Sequence, residues 1–167
     1  MKTCTYISGP PCAGKSTAAT GIQQSVPEIQ HVRGDDCWTM YPDLAFDERV
    51  AKVNQYILAS VRNSASADVI CEWVPCQGLF VAQLHNICVS TGRQFLQVIL
   101  TAPAPVLKRR KQERDGDEDI GPEVVTVPEQ QKAFEWRIFD TDREEASDIV
   151  GEICGWILRN QERKATV

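Results

Sequence analysis

Histidine is scarce in this 167-residue chain: there are two, His31 and His85, and neither stands near a cysteine pair. None of the seven cysteines forms a C-x-x-C, so no zinc site is expected. Cys4, Cys12, Cys37, Cys71, Cys76, Cys88 and Cys154 are scattered and odd in number. They read as reduced thiols of a cytoplasmic protein, not as a disulfide framework. No apolar run reaches the roughly 20 residues of a membrane span. The chain passes from one lysine straight into a strand-like segment, so no signal peptide is expected. Positive charge is not in excess. A net charge of -5 argues against broad non-specific nucleic-acid binding, though not against a local basic groove. Internal repeats, low-complexity stretches and a second domain are also missing. With 43% hydrophobic and 25% charged residues, the chain is long enough for one domain with a real core.

What is present is sharply local. Gly9-Pro10-Pro11-Cys12-Ala13-Gly14-Lys15-Ser16 reads G-x-x-x-x-G-K-S, the pattern of a phosphate-binding loop. The glycines let backbone N–H groups turn inward around a polyphosphate. Lys15 places an ammonium near the β- and γ-phosphates, and the Ser16 hydroxyl is a Mg²⁺ ligand. The helix that follows, with Thr17 in its first turn, points its N-terminal donors at the same charge. Thr3–Ser8 before the loop is β-prone, and Ser16–Gln24 after it continues as a helix. That strand–loop–helix context is the one the motif requires.

Further strands are expected at 30–33, 68–74, 94–100 and 136–140. Helices are expected at 47–63, 79–91, 104–114 and 144–159, with a short one inside 122–132. Their alternation means βαβ units and a parallel sheet. The fold class is therefore α/β, three layers α/β/α around a five-stranded parallel sheet, a P-loop NTPase like the nucleoside monophosphate kinases with a small lid. One domain spans 1–160, with its lid at about 109–132 and a frayed tail at 161–167. Ligands of such sheets bind beyond the carboxyl ends of the strands. That rule singles out Asp35 and Asp36, Glu72 to Gln77, Thr101 to Ala104, and Asp140 to Arg143.

Asp35 or Asp36 can accept the proton of an attacking hydroxyl and orient it toward a γ-phosphate. The same Gly-Asp-Asp also suits a turn or helix cap. Glu72 ends the third strand, where it holds a Mg²⁺-bound water, contacts the acceptor, or faces solvent. Trp38, Trp73 and Tyr41 either line an acceptor pocket or belong to the core. Thr141-x-x-Glu144 fits a helix capping box.

The phosphate loop, the Gly34-Asp35-Asp36 turn and Arg110-Lys111-Gln112-Glu113-Arg114 together resemble small P-loop kinases. These include gluconate kinase, shikimate kinase, chloramphenicol phosphotransferase and polynucleotide kinase. The resemblance implies ATP and Mg²⁺ as cofactors and an alcohol group as acceptor. It implies that Asp35 or Asp36 serves the acceptor hydroxyl. Arg110 and Arg114, four apart on a lid helix, contact the nucleotide phosphates, with Arg109 a third candidate. The loop holding Arg143 approaches the adenine. Three departures leave the acceptor open. Cys37 and Trp38 replace the histidine and proline of gluconate kinase. Glu72 to Cys76 replaces the glycine run of shikimate kinase. Trp38 replaces an arginine of polynucleotide kinase. A small hydroxylated acceptor is the first expectation, and a nucleoside, nucleotide or polynucleotide 5′-hydroxyl the second. A regulatory ATPase or nucleotide switch is the rival of another class. No membrane partner is expected.

Overall fold

The computed structural model describes residues 1–74, 79–117 and 135–162. Five strands, β1 (Lys2–Ser8), β2 (Gln30–Arg33), β3 (Asp68–Trp73), β4 (Arg93–Thr101) and β5 (Glu135–Asp140), form one sheet in the order β2-β3-β1-β4-β5. Every pairing is parallel. The helices are α1 (Lys15–Ser25), α2 (Gly34–Trp38), α3 (Phe46–Asn63), α4 (Leu79–Ser90), α5 (Ala104–Asp115) and α6 (Ala146–Glu162). The expected helix inside 122–132 lies outside the described residues.

Strand alternation divides the core in two. On β1, Cys4 and Tyr6 face one side and Ile7 the other. On β3, Val69, Cys71 and Trp73 take the first side and Ile70 the second. The first side is covered by α3 through Val53, Ile57 and Val61, and by α4 through Leu84, Ile87 and Cys88. These residues recur at helical spacing, so each helix buries one stripe. The second side is covered by α1 through Ala18, Ala19 and Ile22, and by α6 through Ile149, Ile153, Trp156 and Ile157. The loop after β1 emerges between β3 and β4, at the switch point of the strand order.

Two local expectations change. Gly34-Asp35-Asp36 is not an isolated turn but the first turn of α2. Its two carboxylates sit where a helix N-terminus favours negative charge. The helix α6 begins at Ala146, so Thr141 is not its cap. The Thr141 hydroxyl instead donates to the Thr101 carbonyl at 3.1 Å, and Glu144 accepts the Asp140 N–H at 2.8 Å. At its other end α6 runs to Glu162, and Gln161 donates to buried Asp68 at 2.6 Å. Among the described residues no helix is long and apolar enough to cross a membrane.

Candidate active site

The phosphate loop leaves β1 at Ser8 and passes close under β4. A Cβ at Gly9 would stand 2.4 Å from the Leu100 carbonyl oxygen, so only glycine fits. Cys12 has φ 65, the left-handed region that side chains rarely adopt. Ala13 is fully buried and anchors the loop to the core. The Lys15 ammonium donates to the carbonyls of Gly9 and Pro10, both at 2.9 Å. Burial lowers the Lys15 pKa, against the opposing pull of Asp35 and Glu72.

Glu72 stands on the α1 side of β3, one residue from Trp73 on the opposite side. It therefore meets the phosphate loop: the Ser16 hydroxyl donates to Glu72 Oε2 at 2.9 Å. His31 Nε2 lies 3.0 Å from Oε1, and Arg33 Nε 3.5 Å from the same oxygen. Burial pushes the Glu72 pKa up, but hydrogen bonds from His31 and Ser16, with the charges of His31 and Arg33, outweigh it. The net result lies below the usual carboxylate value. A hydroxyl beside a fixed carboxylate is a hard oxygen donor set. It fits Mg²⁺, which takes few protein ligands and completes its shell with phosphates and water.

A cavity of about 470 Å³ brings three groups of residues together. The phosphate loop contributes Pro11, Cys12, Gly14, Lys15, Ser16 and Thr17. The β2–β3 side contributes Asp35, Glu72, Trp73 and Val74, and α5 contributes Arg110, Lys111, Arg114 and Asp115. Asp35 lines the cavity. Asp36 does not; it is exposed and lies 3.7 Å from Arg33. Trp73 is buried against α2, so closely that a Cβ at Gly34 would stand 2.2 Å from its ring. Trp38 packs against Trp73 at 5.7 Å with the ring planes tilted by 47° and stays outside the cavity lining, as does exposed Tyr41.

On α5, Arg110 donates to the Thr141 hydroxyl at 2.9 Å and the Thr141 carbonyl at 2.8 Å. Arg114 makes two bonds to Asp115, both at 2.7 Å. That pairing holds the Asp115 pKa down at about 2. Lys111 lies 3.3 Å from Asp115 and 3.0 Å from Asp117. The hydrogen bond to Asp117 raises its pKa, with burial opposing and Asp115 assisting. Arg109 faces away, 3.9 Å from Glu113. Arg143 is not brought to the site. Its side chain is 82% exposed and lies 3.4 Å from Asp140. A second cavity of about 270 Å³ shares Cys12, Gly14, Thr17 and Arg110 with the first and adds Leu100, Thr141 and Ile149.

Sequence reasoning missed His31, Lys111, Asp115 and the role of Thr141. The signal for His31 is period two: His31 and Arg33 share one face of β2 and pair beside Glu72. The signal for Lys111 and Asp115 is their i,i+4 spacing.

The family described as AAA domain matches residues 6–133 of the chain. No curated protein matches the sequence. Solved structures share the fold at low identity. The gluconokinase of Sinorhizobium meliloti is 16% identical with a TM-score of 0.70, covering 98% of this chain and 96% of its own. The APS kinase of Mycobacterium tuberculosis, solved with AMPPNP and APS, is 16% identical with a TM-score of 0.63, covering 91% and 95%. The shikimate kinase of Acinetobacter baumannii, solved with shikimate, is 15% identical with a TM-score of 0.60, covering 96% and 95%.

Proposed function

The chain belongs to the AAA domain family and has the fold of the small P-loop kinases; on that premise we propose that it transfers the γ-phosphoryl group of ATP to a hydroxyl of a small acceptor. One observation carries this reading. A single cavity holds the phosphate-loop lysine, the cations of α5 and an exposed carboxylate, Asp35, that is not consumed by an ion pair with Arg33.

In this reading the triphosphate lies along Gly9 to Thr17, and the base enters the second cavity between Leu100, Thr141 and Ile149. Lys15 leaves the Gly9 and Pro10 carbonyls to stabilise charge on the transferring phosphoryl. Arg110 and Arg114 close from α5 over the phosphates, and Arg114 exchanges Asp115 for a phosphate oxygen. Asp35 accepts the acceptor's hydroxyl proton and aligns its oxygen with the phosphorus. Asp36 stays with Arg33 outside the reacting group. Ser16 and Glu72 would hold Mg²⁺, directly and through water. Mg²⁺ when bound neutralises phosphate charge and orients the triphosphate. The protein's share of catalysis is then positioning and electrostatic stabilisation. Five buried free cysteines among the described residues support a reducing compartment such as the cytoplasm.

The relatives solved with APS and shikimate support a small acceptor over a polynucleotide. The test is ADP release from MgATP across a panel of sugars, polyols, nucleosides, antibiotics and 5′-hydroxyl oligonucleotides, with product mass. Stimulation by a small hydroxylated compound, lost in Lys15→Ala, supports the proposal. Stimulation by oligonucleotides alone moves the acceptor to nucleic acid. Steady release that no acceptor changes identifies an ATPase or switch.

A further inference from the structure

Among the described residues four cations line the larger cavity, Lys15, Arg110, Lys111 and Arg114, and their partners differ in kind. Lys15 and Arg110 hold neutral oxygens: the Gly9 and Pro10 carbonyls for the first, the Thr141 hydroxyl and carbonyl for the second. Lys111 and Arg114 share a carboxylate, Asp115, which itself lines the cavity. Arg114 donates to it through Nε and Nη2, each at 2.7 Å, and Lys111 Nζ stands 3.3 Å from Oδ2. Nε and Nη2 together form one edge of the guanidinium fork, the edge that also receives a phosphate with two bonds. Asp115 therefore takes the contact that a phosphate of the nucleotide would make.

Helix stability does not account for this carboxylate. Asp115 is the last residue of α5, before Gly116 in the left-handed cap. At that end the helix dipole favours cations and disfavours an acid. Its pairing with Lys111 runs lysine first and acid four residues on, the weaker order for such a pair. The Arg114 side chain is 60% exposed and that of Asp115 34%, so the ion pair adds little to the fold. A residue that breaks local preference without a stabilising return is expected where function requires it. Asp117 supplies the contrast. It also stands beside Lys111, at 3.0 Å, but it is not among the residues that line the cavity.

We propose that Asp115 is a built-in competitor of the nucleotide phosphates: it occupies Arg114, must be displaced when a nucleotide binds, and so lowers nucleotide affinity. The inference rests on the kinase reading above and adds to it a residue that sets how tightly the donor and its product are held. The apparent affinity of a site falls by the fraction of molecules in which its groups are available. A partly exposed ion pair of this kind leaves Arg114 available about one-third to one-fifth of the time.

The test is calorimetric binding of Mg·AMPPNP and of Mg·ADP to the full chain. Asp115→Asn keeps the side chain's size and removes its charge. It is expected to tighten both nucleotides about three- to fivefold. Asp117→Asn removes the same charge two residues on and should change either affinity by less than about twofold. In an Arg114→Gln background the gain from Asp115→Asn should fall below about twofold, because the cation that the carboxylate occupies is gone. Unchanged or weaker nucleotide binding in Asp115→Asn overturns the proposal. An equal gain in Asp117→Asn overturns it too, as does a gain that persists undiminished without Arg114. Phosphoryl transfer to an acceptor, with nucleotide affinity unmoved by Asp115→Asn, would sink this inference and leave the kinase reading intact. The expected affinities with no phosphoryl transfer to any acceptor would sink the kinase reading alone.

Discussion

The two ends of the cavity are built by different means. The phosphate end is one contiguous stretch, Gly9 to Thr17, whose backbone does most of the shaping, with cations arriving from a single helix. The end proposed for the acceptor is assembled from side chains far apart in the chain. Asp35 comes from α2, Glu72 and Trp73 from β3, and behind them stand His31, Trp38 and Arg49. A backbone cradle depends on residue type at fixed offsets. A side-chain wall depends on which face of which strand each residue takes. The first is common property of a fold; the second is where one chain can differ from its relatives.

The largest effect should come from the phosphate end. Lys15→Ala is expected to lower kcat about 100- to 1,000-fold by removing a preorganised positive charge, with the melting temperature nearly unchanged. Next is the acceptor end. Asp35→Asn should cost about 100-fold in kcat, and Asp36→Asn about twofold or less. Equal losses in both would erase the distinction between the carboxylate that lines the cavity and the one that faces Arg33.

The network joining the two ends gives a smaller effect. His31→Ala removes the hydrogen bond at one oxygen of Glu72 and leaves Arg33 alone beside it, so the Mg²⁺ concentration needed for half-maximal rate should rise about tenfold. His31→Gln, which restores a donor, should recover part of it. The same network sets a pH dependence. The fold holds the Glu72 pKa below its unfolded value, so it binds fewer protons here than the open chain does. Its stabilising contribution is present above the ordinary carboxylate pKa and is lost as pH falls through the depressed one. The gap in melting temperature between wild type and Glu72→Gln should accordingly shrink toward acid pH. A gap independent of pH would show that the pairing contributes nothing. Gly34→Ala should destabilise by about 1–3 kcal/mol, because the new methyl meets the Trp73 ring. Thermal unfolding reads this directly. Arg143→Ala, whose side chain turns to solvent beside Asp140, should change kcat by less than about twofold.

The same contrast explains what was legible beforehand. The layers, the five strands and the phosphate loop follow from periodicity and one motif. The ranges of β2 and α3 differ from expectation by at most one residue. What was not legible depends on contacts between distant elements. The pairing of β2 with β3 brings His31 to Glu72, and no local pattern states that register. Thr141 looked like a helix cap because Thr-x-x-Glu is a capping pattern. Arg110, 31 residues earlier, claims it instead. Arg143 was placed by resemblance, and here it turns to Asp140 and solvent.

One cavity is proposed to join a phosphoryl donor to a hydroxyl acceptor at Asp35. The most direct test measures acceptor-dependent ADP release in the wild type and in Asp35→Asn, with ATP affinity measured alongside. Stimulation by acceptor is expected in the wild type, with its loss in Asp35→Asn and unchanged ATP affinity in both. Stimulation that survives in Asp35→Asn, or ADP release indifferent to any acceptor, would contradict it.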